Sequence, residues 1–222
     1  MEPSARILVV MARAPVVGSV KTRLAQRVGA EAACALYRAF VADIAARFAS
    51  PAWSLVWAVT PAGADLTPLI GSDAVQFAQE GEDLGARMQS CFARLLRDHA
   101  RRVVMIGADA PHLAETAIVA AFSALEQYDA VLMPTRDGGY CLVGLRAPHD
   151  IFAGIPMGTA QVFESTRARL DALGLRCHLL PASFDIDELD DVAELSRLLA
   201  RGEATLPQTA NVLRQWQAGG IL

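Results

Sequence analysis

The chain has 222 residues, of which 53% are hydrophobic, and a formal net charge of −4 at pH 7. This length and apolar content suit one domain with a large core, and the weak acidity gives no reason to expect a nucleic acid or an anionic membrane as a partner. The four cysteines lack the spacing of a metal site or a redox pair, so we expect reduced thiols and a cytoplasmic protein. The apolar stretch near the N-terminus, at about six residues, is too short for a signal peptide or a membrane span.

Strand and helix patterns alternate along the chain, which predicts an α/β fold with a sheet of about seven strands. Apolar runs predict strands at 6–12, 53–59, 75–78, 103–106, 129–133, 140–145 and 176–180. Helical periodicity predicts helices at 31–48, 114–125 and 160–173, a further one beginning near residue 84, and a last one around residues 192–199.

A basic loop, residues 13–29, follows the first strand. It contains Gly18, Lys21 and Arg23, and it has no acidic residue; the next one along the chain is Glu31. Nucleotide phosphates bind at such a loop in doubly wound folds, so we predict phosphate contacts here and at the strand end, Ala12 and Arg13. The loop matches neither GxxxxGK[ST] nor GxGxxG, and the alternative interpretation is a solvated basic loop.

Lys21 is the only lysine among 20 basic residues. Arginine supplies the positive charge everywhere else, so this lysine marks a position that needs a compact ammonium on a flexible stem. The alternative is chance survival of one lysine. We predict that its ammonium lies in the ligand crevice near a phosphate, and that Lys21→Ala changes folding stability by no more than about 0.5 kcal/mol, as for most surface substitutions.

Two acidic features predict a metal site. Asp109 follows a short central strand, and this edge of an open α/β sheet is where ligands bind. Asp185 and Asp187 alternate with apolar residues, which places both carboxylates on one side of an extended segment. Hard oxygen ligands of this kind suit Mg²⁺ or Mn²⁺. The alternatives are a helix cap or turn for Asp109 and stabilisation of a helix dipole by the acidic run 184–191.

Two loops contain further candidate residues. Gln79, Gly81 and Gly85 precede or begin a helix, where a base or sugar could bind; simple loop and cap chemistry is the alternative. Asp137 is followed by two glycines, Gly138 and Gly139, which permit a tight turn or leave room for a substrate beneath the metal site. A plain hairpin turn explains this second loop equally well.

Several of these stretches together resemble a known family, the radical-SAM/selenodomain-associated transferases. The resemblance rests, in order, on MARAPVVGSVKTRLA, QEGEDLGARM, IGADAPHL, DGGYCLVGL and DIDELDD, and extends over roughly residues 6–200. It implies one domain, residues 1–222, with the three-layer α/β/α nucleotide-diphospho-sugar transferase (glycosyltransferase type A) fold and a mixed, mostly parallel sheet. It also implies a divalent metal, a nucleotide or nucleotide-sugar donor and a small-molecule acceptor, and we expect Lys21, Asp109 and Asp137 to be the catalytic residues.

Three functions remain open at this point. Glycosyltransferases of this type use a DxD metal motif, but Gly107 stands where its first acid belongs. KTRL also resembles the phospholactate guanylyltransferases, and IGADAP the molybdenum-cofactor guanylyltransferases, which transfer a nucleotidyl group and release pyrophosphate. The third possibility is a nucleotide-binding module without catalysis. Met157 stands where the family pattern has tryptophan, at a position that bears on the acceptor.

Overall fold

The computed structural model describes residues 5–97 and 102–221. The first four residues of the N-terminal segment considered above as a signal peptide lie outside the described residues. The strands are β1 (Arg6–Arg13), β2 (Ser54–Thr60), β3 (Val75–Ala78), β4 (Arg102–Gly107), β5 (Ala130–Pro134), β6 (Tyr140–Leu145) and β7 (Cys177–Leu179). The helices are α1 (Thr22–Val28), α2 (Ala30–Arg47), α3 (Thr67–Ile70), α4 (Leu84–Leu95), α5 (Glu115–Ala124), α6 (Val162–Ala172), α7 (Leu189–Ala200) and α8 (Pro207–Ala218).

All seven strands form one sheet in the order β3-β2-β1-β4-β6-β5-β7. Strand β6 runs antiparallel to both of its neighbours, and every other pair is parallel. The predicted mixed, mostly parallel sheet is therefore confirmed. Strands β1 and β4 lie at its centre, as their continuous apolar sequences require, because parallel strands covered on both faces have no polar side.

Helices cover both faces of the sheet. Alternate residues of β1 illustrate this: Leu8 and Val10 pack into the core beneath α2, α5, α7 and α8, whereas Ile7 and Val9 pack into the core beneath α4 and α6. This alternation follows from the two-residue period of a strand. The result is the predicted three-layer α/β/α arrangement. None of the helices in the described part of the chain is both long and apolar enough to cross a membrane.

Three helices were not predicted. Helix α1 occupies the second half of the predicted basic loop, and α3 is a single turn. Helix α8 packs on α2, and its N-terminus is capped from α2 by Asp43, which is 1% exposed. The Asp43 carboxylate accepts the backbone N–H groups of Gln208 and Thr209 at 3.0 and 2.8 Å. A cap supplied from 165 residues away leaves no local sequence signal at the helix it stabilises.

Candidate active site

A cleft of about 720 Å³ opens at the carboxyl ends of β1 and β4. These two strands are neighbours in the sheet, but the chain passes from β1 to β2 on the other side before it reaches β4. The strand order therefore reverses between them, which is where open α/β sheets bind their ligands. Strand β6 begins at the same edge because it runs antiparallel, so the hairpin before it also reaches the cleft.

Lys21 lies at the centre of the cleft. Its side chain is 2% exposed, and its Nζ forms ion pairs with Asp109 and with Asp187, the latter at 2.9 Å. Lys21 occupies the residue position just before α1 and has a left-handed conformation, with φ 49° and ψ 44°, which is uncommon for a residue with a side chain. The backbone turn directs the lysine inward, where it lines the cleft together with Asp109.

The charge of Lys21 depends on these carboxylates. Burial by itself lowers the pKa of the ammonium, but Asp109 and Asp187 more than compensate, so the pKa is raised above its ordinary value. Lys21 therefore remains protonated at neutral pH. Its near-complete burial shows that the expectation of a surface lysine was wrong. Its proposed contact with a phosphate stays a prediction.

The acidic residues of the run 184–191 lie in two different places, the cleft and the beginning of α7. Asp185 and Asp187 line the cleft, as their alternation predicted. Asp191 instead accepts the backbone N–H groups of Asp187 and Glu188 at 3.0 and 2.8 Å, as part of a capping box that begins α7. The helix-capping interpretation of the run therefore holds for Asp191, whereas metal binding by Asp185 or Asp187 stays a prediction.

Asp185 differs from the two carboxylates that pair with Lys21. Burial, assisted by the negative charge of Asp109, raises the pKa of Asp185 to about 7, even though Lys21 acts in the opposite direction. By contrast, the side chains of Asp109 and Asp187 are 45% and 46% exposed. The site therefore concentrates more negative charge than one lysine neutralises.

The carboxylates suit a cation that shares its coordination with a substrate. Within residues 5–97 and 102–221, no three His, Cys, Asp or Glu side chains are grouped closely enough to hold a metal by themselves. However, Asp109 and Asp187 contact one nitrogen atom and are still partly open to solvent. Mg²⁺ sites commonly use one or two carboxylates and complete the shell with phosphate oxygens and water. The residues present fit that type of site.

The turn after β5 presents Asp137 to the cleft. Its Oδ1 accepts hydrogen bonds from the Thr135 hydroxyl at 2.5 Å and from the Gly139 N–H at 3.2 Å. Gly139 lines the cleft as well, but Gly138 does not. A Cβ on Gly138 would lie 2.0 Å from the carbonyl oxygen of Ala160, so the space that this glycine leaves is filled by protein. The idea that Gly138 makes room for a substrate is therefore corrected.

Besides Lys21 and Gly139, four other predicted nucleotide-binding residues line the cleft, namely Ala12, Arg13, Arg23 and Gln79. The side chain of Gln79 donates to the carbonyl oxygens of Ala12 at 3.2 Å and Ala58 at 2.8 Å. Its amide nitrogen is thereby committed to the ends of β1 and β2. The amide oxygen is the group that Gln79 can offer to a ligand.

Three further predicted glycines do not line the cleft, and each has a backbone role instead. Gly18 adopts φ 80° in the turn before α1. Gly81 adopts φ 141°, and a Cβ there would lie 2.7 Å from the backbone nitrogen of Arg87. A Cβ on Gly85 would lie 3.2 Å from Cε of Met157. Gly18 therefore serves the turn, and Gly81 and Gly85 allow close packing around the cleft rather than contact with its contents.

Tyr37 is a cleft residue that the sequence did not reveal, because its spacing fits the apolar stripe of α2. Its hydroxyl accepts the backbone N–H of Arg13 at 3.0 Å, and burial raises its pKa. One turn earlier, the thiol of Cys34 donates to the carbonyl oxygen of Pro15 at 3.2 Å. Helix α2 therefore holds the loop after β1 through two side chains on one face.

Comparison with known proteins assigns the chain to a family. A family model described as "uncharacterized protein conserved in bacteria (DUF2064)" matches residues 43–159. The chain belongs to this family. No curated protein matches the sequence.

The fold of this DUF2064 protein is shared with several solved structures. A protein from Desulfovibrio desulfuricans G20, provisionally named a nucleotide-diphospho-sugar transferase, is 32% identical with a TM-score of 0.86, over 97% of this chain and 96% of that one. A 4-diphosphocytidyl-2C-methyl-D-erythritol synthase is 14% identical with a TM-score of 0.55, over 90% and 99% of the two chains. A cytidylyltransferase from Leptospira borgpetersenii is 11% identical with a TM-score of 0.55, over 98% and 95%.

These similarities confirm the nucleotide-diphospho-sugar transferase fold. The last two relatives are too distant in sequence to show more than the fold. The first is close over nearly the whole of both chains, and its name agrees with the predicted transferase class.

Proposed function

We propose that this protein is a transferase that binds a nucleotide or nucleotide-sugar donor in the cleft and passes a group from it to a small-molecule acceptor. The observation that carries the proposal is the meeting of Lys21, Asp109 and Asp187 inside the cleft. Three sequence segments far apart in the chain supply them, at the switch point of the sheet. A charged cluster around a buried lysine in a ligand-sized cleft is typical of a functional site.

The proposal includes a divalent cation, Mg²⁺ or Mn²⁺, held by Asp109 and by Asp185 or Asp187 together with donor phosphate oxygens. Such a cation, when bound, neutralises charge that develops on the leaving phosphate. The excess of carboxylates over lysine and the partial exposure of Asp109 and Asp187 support this assignment.

The protein groups around the donor have separate roles in this proposal. Arg13 and Arg23 supply positive charge for the phosphates at the end of β1, and Lys21 fixes the two carboxylates relative to each other. Asp137 accepts both of its hydrogen bonds through Oδ1. Its Oδ2 is therefore the oxygen that can accept a proton from an acceptor hydroxyl.

Glycosyl transfer is the first form of the proposal, and nucleotidyl transfer is the second. The close relative named as a nucleotide-diphospho-sugar transferase favours the first. Gly107, which stands where a DxD motif has its first acid, favours the second.

We also propose that this protein is a radical-SAM/selenodomain-associated member of the family and that residues 1–222 act as one domain. We further propose that the protein works in the cytoplasm, since its four cysteines are free thiols.

Product analysis distinguishes the two reactions. The protein is incubated with Mn²⁺ and either nucleoside triphosphates or nucleotide sugars, in the presence of a panel of candidate acceptors. Nucleotidyl transfer releases pyrophosphate, whereas glycosyl transfer consumes a nucleotide sugar and releases a nucleoside diphosphate or monophosphate. Nucleotide binding with neither product across the panel would favour the non-catalytic module.

A further inference from the structure

The cleft has two chemically different halves. One contains the charged groups described above. The other is apolar: four of the six methionines in the sequence line it, namely Met11, Met88, Met105 and Met157, which we call the methionine wall. All four pack in the same hydrophobic cluster beneath α4 and α6. Leu84 extends this surface at the first turn of α4, where the residue is 47% exposed.

One cation, Arg87, lies in the same part of the cleft. It is half-buried on α4, one residue before Met88. Its Nε donates to the carbonyl oxygen of Gly81 at 3.0 Å. Among the described residues, no carboxylate lies within ion-pair distance of this guanidinium. The two Nη groups therefore keep their hydrogen-bonding capacity for a ligand.

The position of Arg87 is fixed by the surrounding backbone. Gly81 approaches the first turn of α4 so closely that a Cβ on this glycine would lie 2.7 Å from the backbone nitrogen of Arg87. The side chain of Asp83 caps the same turn through the Ala86 N–H at 2.8 Å. A guanidinium held at Nε presents its two remaining nitrogens as a fork, which matches the geometry of a carboxylate or a phosphate.

We propose that the acceptor is an amphipathic acid, whose oxyanion binds Arg87 and whose apolar body lies against the methionine wall. This inference rests on the proposed function, because it names the second substrate of the same cleft. Phosphates and a cation gain nothing from thioether and aliphatic side chains, so the donor's charged part belongs in the other half. Methionine side chains are adaptable, and they accept apolar groups of varied shape.

The test measures binding of three simple probes by calorimetry: octanoate, octanol and acetate. Octanoate has both features, whereas octanol lacks the charge and acetate lacks the apolar body. We expect octanoate to bind at least tenfold more tightly than either of the others. In Arg87→Ala the advantage of octanoate over octanol disappears, and Arg87→Lys restores only part of it because an ammonium cannot form the fork. Met157→Asp weakens octanoate and octanol together.

Arg94 provides the matched control. It lies on α4 as well, but its guanidinium stacks on the ring of Phe77 at 4.4 Å and does not line the cleft. Arg94→Ala removes the same charge from the same helix, and it should leave octanoate binding unchanged. If Arg94→Ala weakened octanoate as much as Arg87→Ala, the effect would come from net charge and the proposal would fail.

Two results overturn the inference. One is octanoate binding that is no tighter than acetate, or that is unaffected by Arg87→Ala and Arg87→Lys. The other is an Arg87→Ala variant whose Mn²⁺-dependent nucleotide binding weakens as much as its octanoate binding, which would assign Arg87 to the donor. A wild-type protein that binds octanoate through Arg87 but no nucleotide with Mn²⁺ refutes the proposed function instead, so the two failures are distinguishable.

Discussion

Replacing Asp185 with asparagine tests the electrostatics of the site in the absence of any ligand. Asparagine has the same shape as a protonated aspartate and carries no charge. The pKa of Asp185 is raised to about 7 by burial and by the neighbouring carboxylates. The native protein therefore keeps a proton on this side chain at pH values where the unfolded chain has lost it.

The sign and the size of the effect follow from linkage. Because the folded-state pKa lies above the unfolded value of 3.8, the stability associated with protonated Asp185 is complete below pH 3.8 and is lost as the pH rises through 7. A difference of about 3 pKa units at about 1.4 kcal/mol each sets a ceiling of roughly 4 kcal/mol. Since the side chain keeps some exposure, we expect about half of that, or ~2 kcal/mol.

Urea denaturation at pH 4 and pH 8 measures this effect. The unfolding free energies of Asp185→Asn and the wild type should be nearly equal at pH 4, and the variant should be more stable by about 2 kcal/mol at pH 8. Asp171→Asn, an exposed aspartate outside the cleft, should differ from the wild type by less than about 0.5 kcal/mol at both pH values. A variant that is less stable than the wild type at pH 8 would show that Lys21 stabilises an ionised Asp185, and the argument would be refuted.

Three further predictions follow from the structure. Lys21→Ala should lower the unfolding free energy by about 1–2 kcal/mol, which is less than the 3–5 kcal/mol of a fully buried ion pair because both carboxylates are partly exposed. In urea denaturation Lys21→Gly should be about 1 kcal/mol more stable than Lys21→Ala, since glycine tolerates the left-handed conformation; the reverse order would refute this reason. In thermal unfolding Gly138→Ala should lower the unfolding free energy by more than about 2 kcal/mol, because its Cβ meets the Ala160 carbonyl. Gly174 also has a positive φ but lies in open space, so Gly174→Ala should lower it by only about 1 kcal/mol, and equal losses of stability would contradict the prediction. Calorimetry should show that the affinity for Mn²⁺ rises between pH 5 and 7.5 and that protons are released, because Asp185 must lose its proton before it can bind the ion. An affinity that is independent of pH would exclude Asp185 as a ligand.

Most of the fold could be predicted from the sequence because strand β1 and strand β4 are continuous apolar runs that only a central parallel position explains. Helix α2 was equally clear from its periodic stripe. Helix α8 was missed because the carboxylate that caps it, Asp43, lies on α2 and is remote in sequence. Helix α1 was missed because its seven residues begin inside a loop rich in cations, at a lysine rather than at a conventional cap.

The site could be predicted only in part. Asp109 was found from its position after a strand, Asp185 and Asp187 from their alternation with apolar residues, and Lys21 from the composition of the chain. The ion pairs among them are long-range and could not be read from spacing. Arg87 was overlooked for a different reason. Arginines are common on helices, and only the three-dimensional structure shows that no carboxylate among the described residues pairs with this one.

The central claim is that Asp109 helps bind a nucleotide donor through a divalent cation. The direct measurement is thermal unfolding of the wild type and of Asp109→Asn with nucleotides and nucleotide sugars, each with and without Mn²⁺. Ligand at 100 times its Kd stabilises the native state by about 2.7 kcal/mol, which is readily measured. We predict that at least one nucleotide raises the wild-type Tm only with Mn²⁺ and that Asp109→Asn loses this shift. A nucleotide shift of equal size without Mn²⁺, or one retained in Asp109→Asn, would contradict the claim.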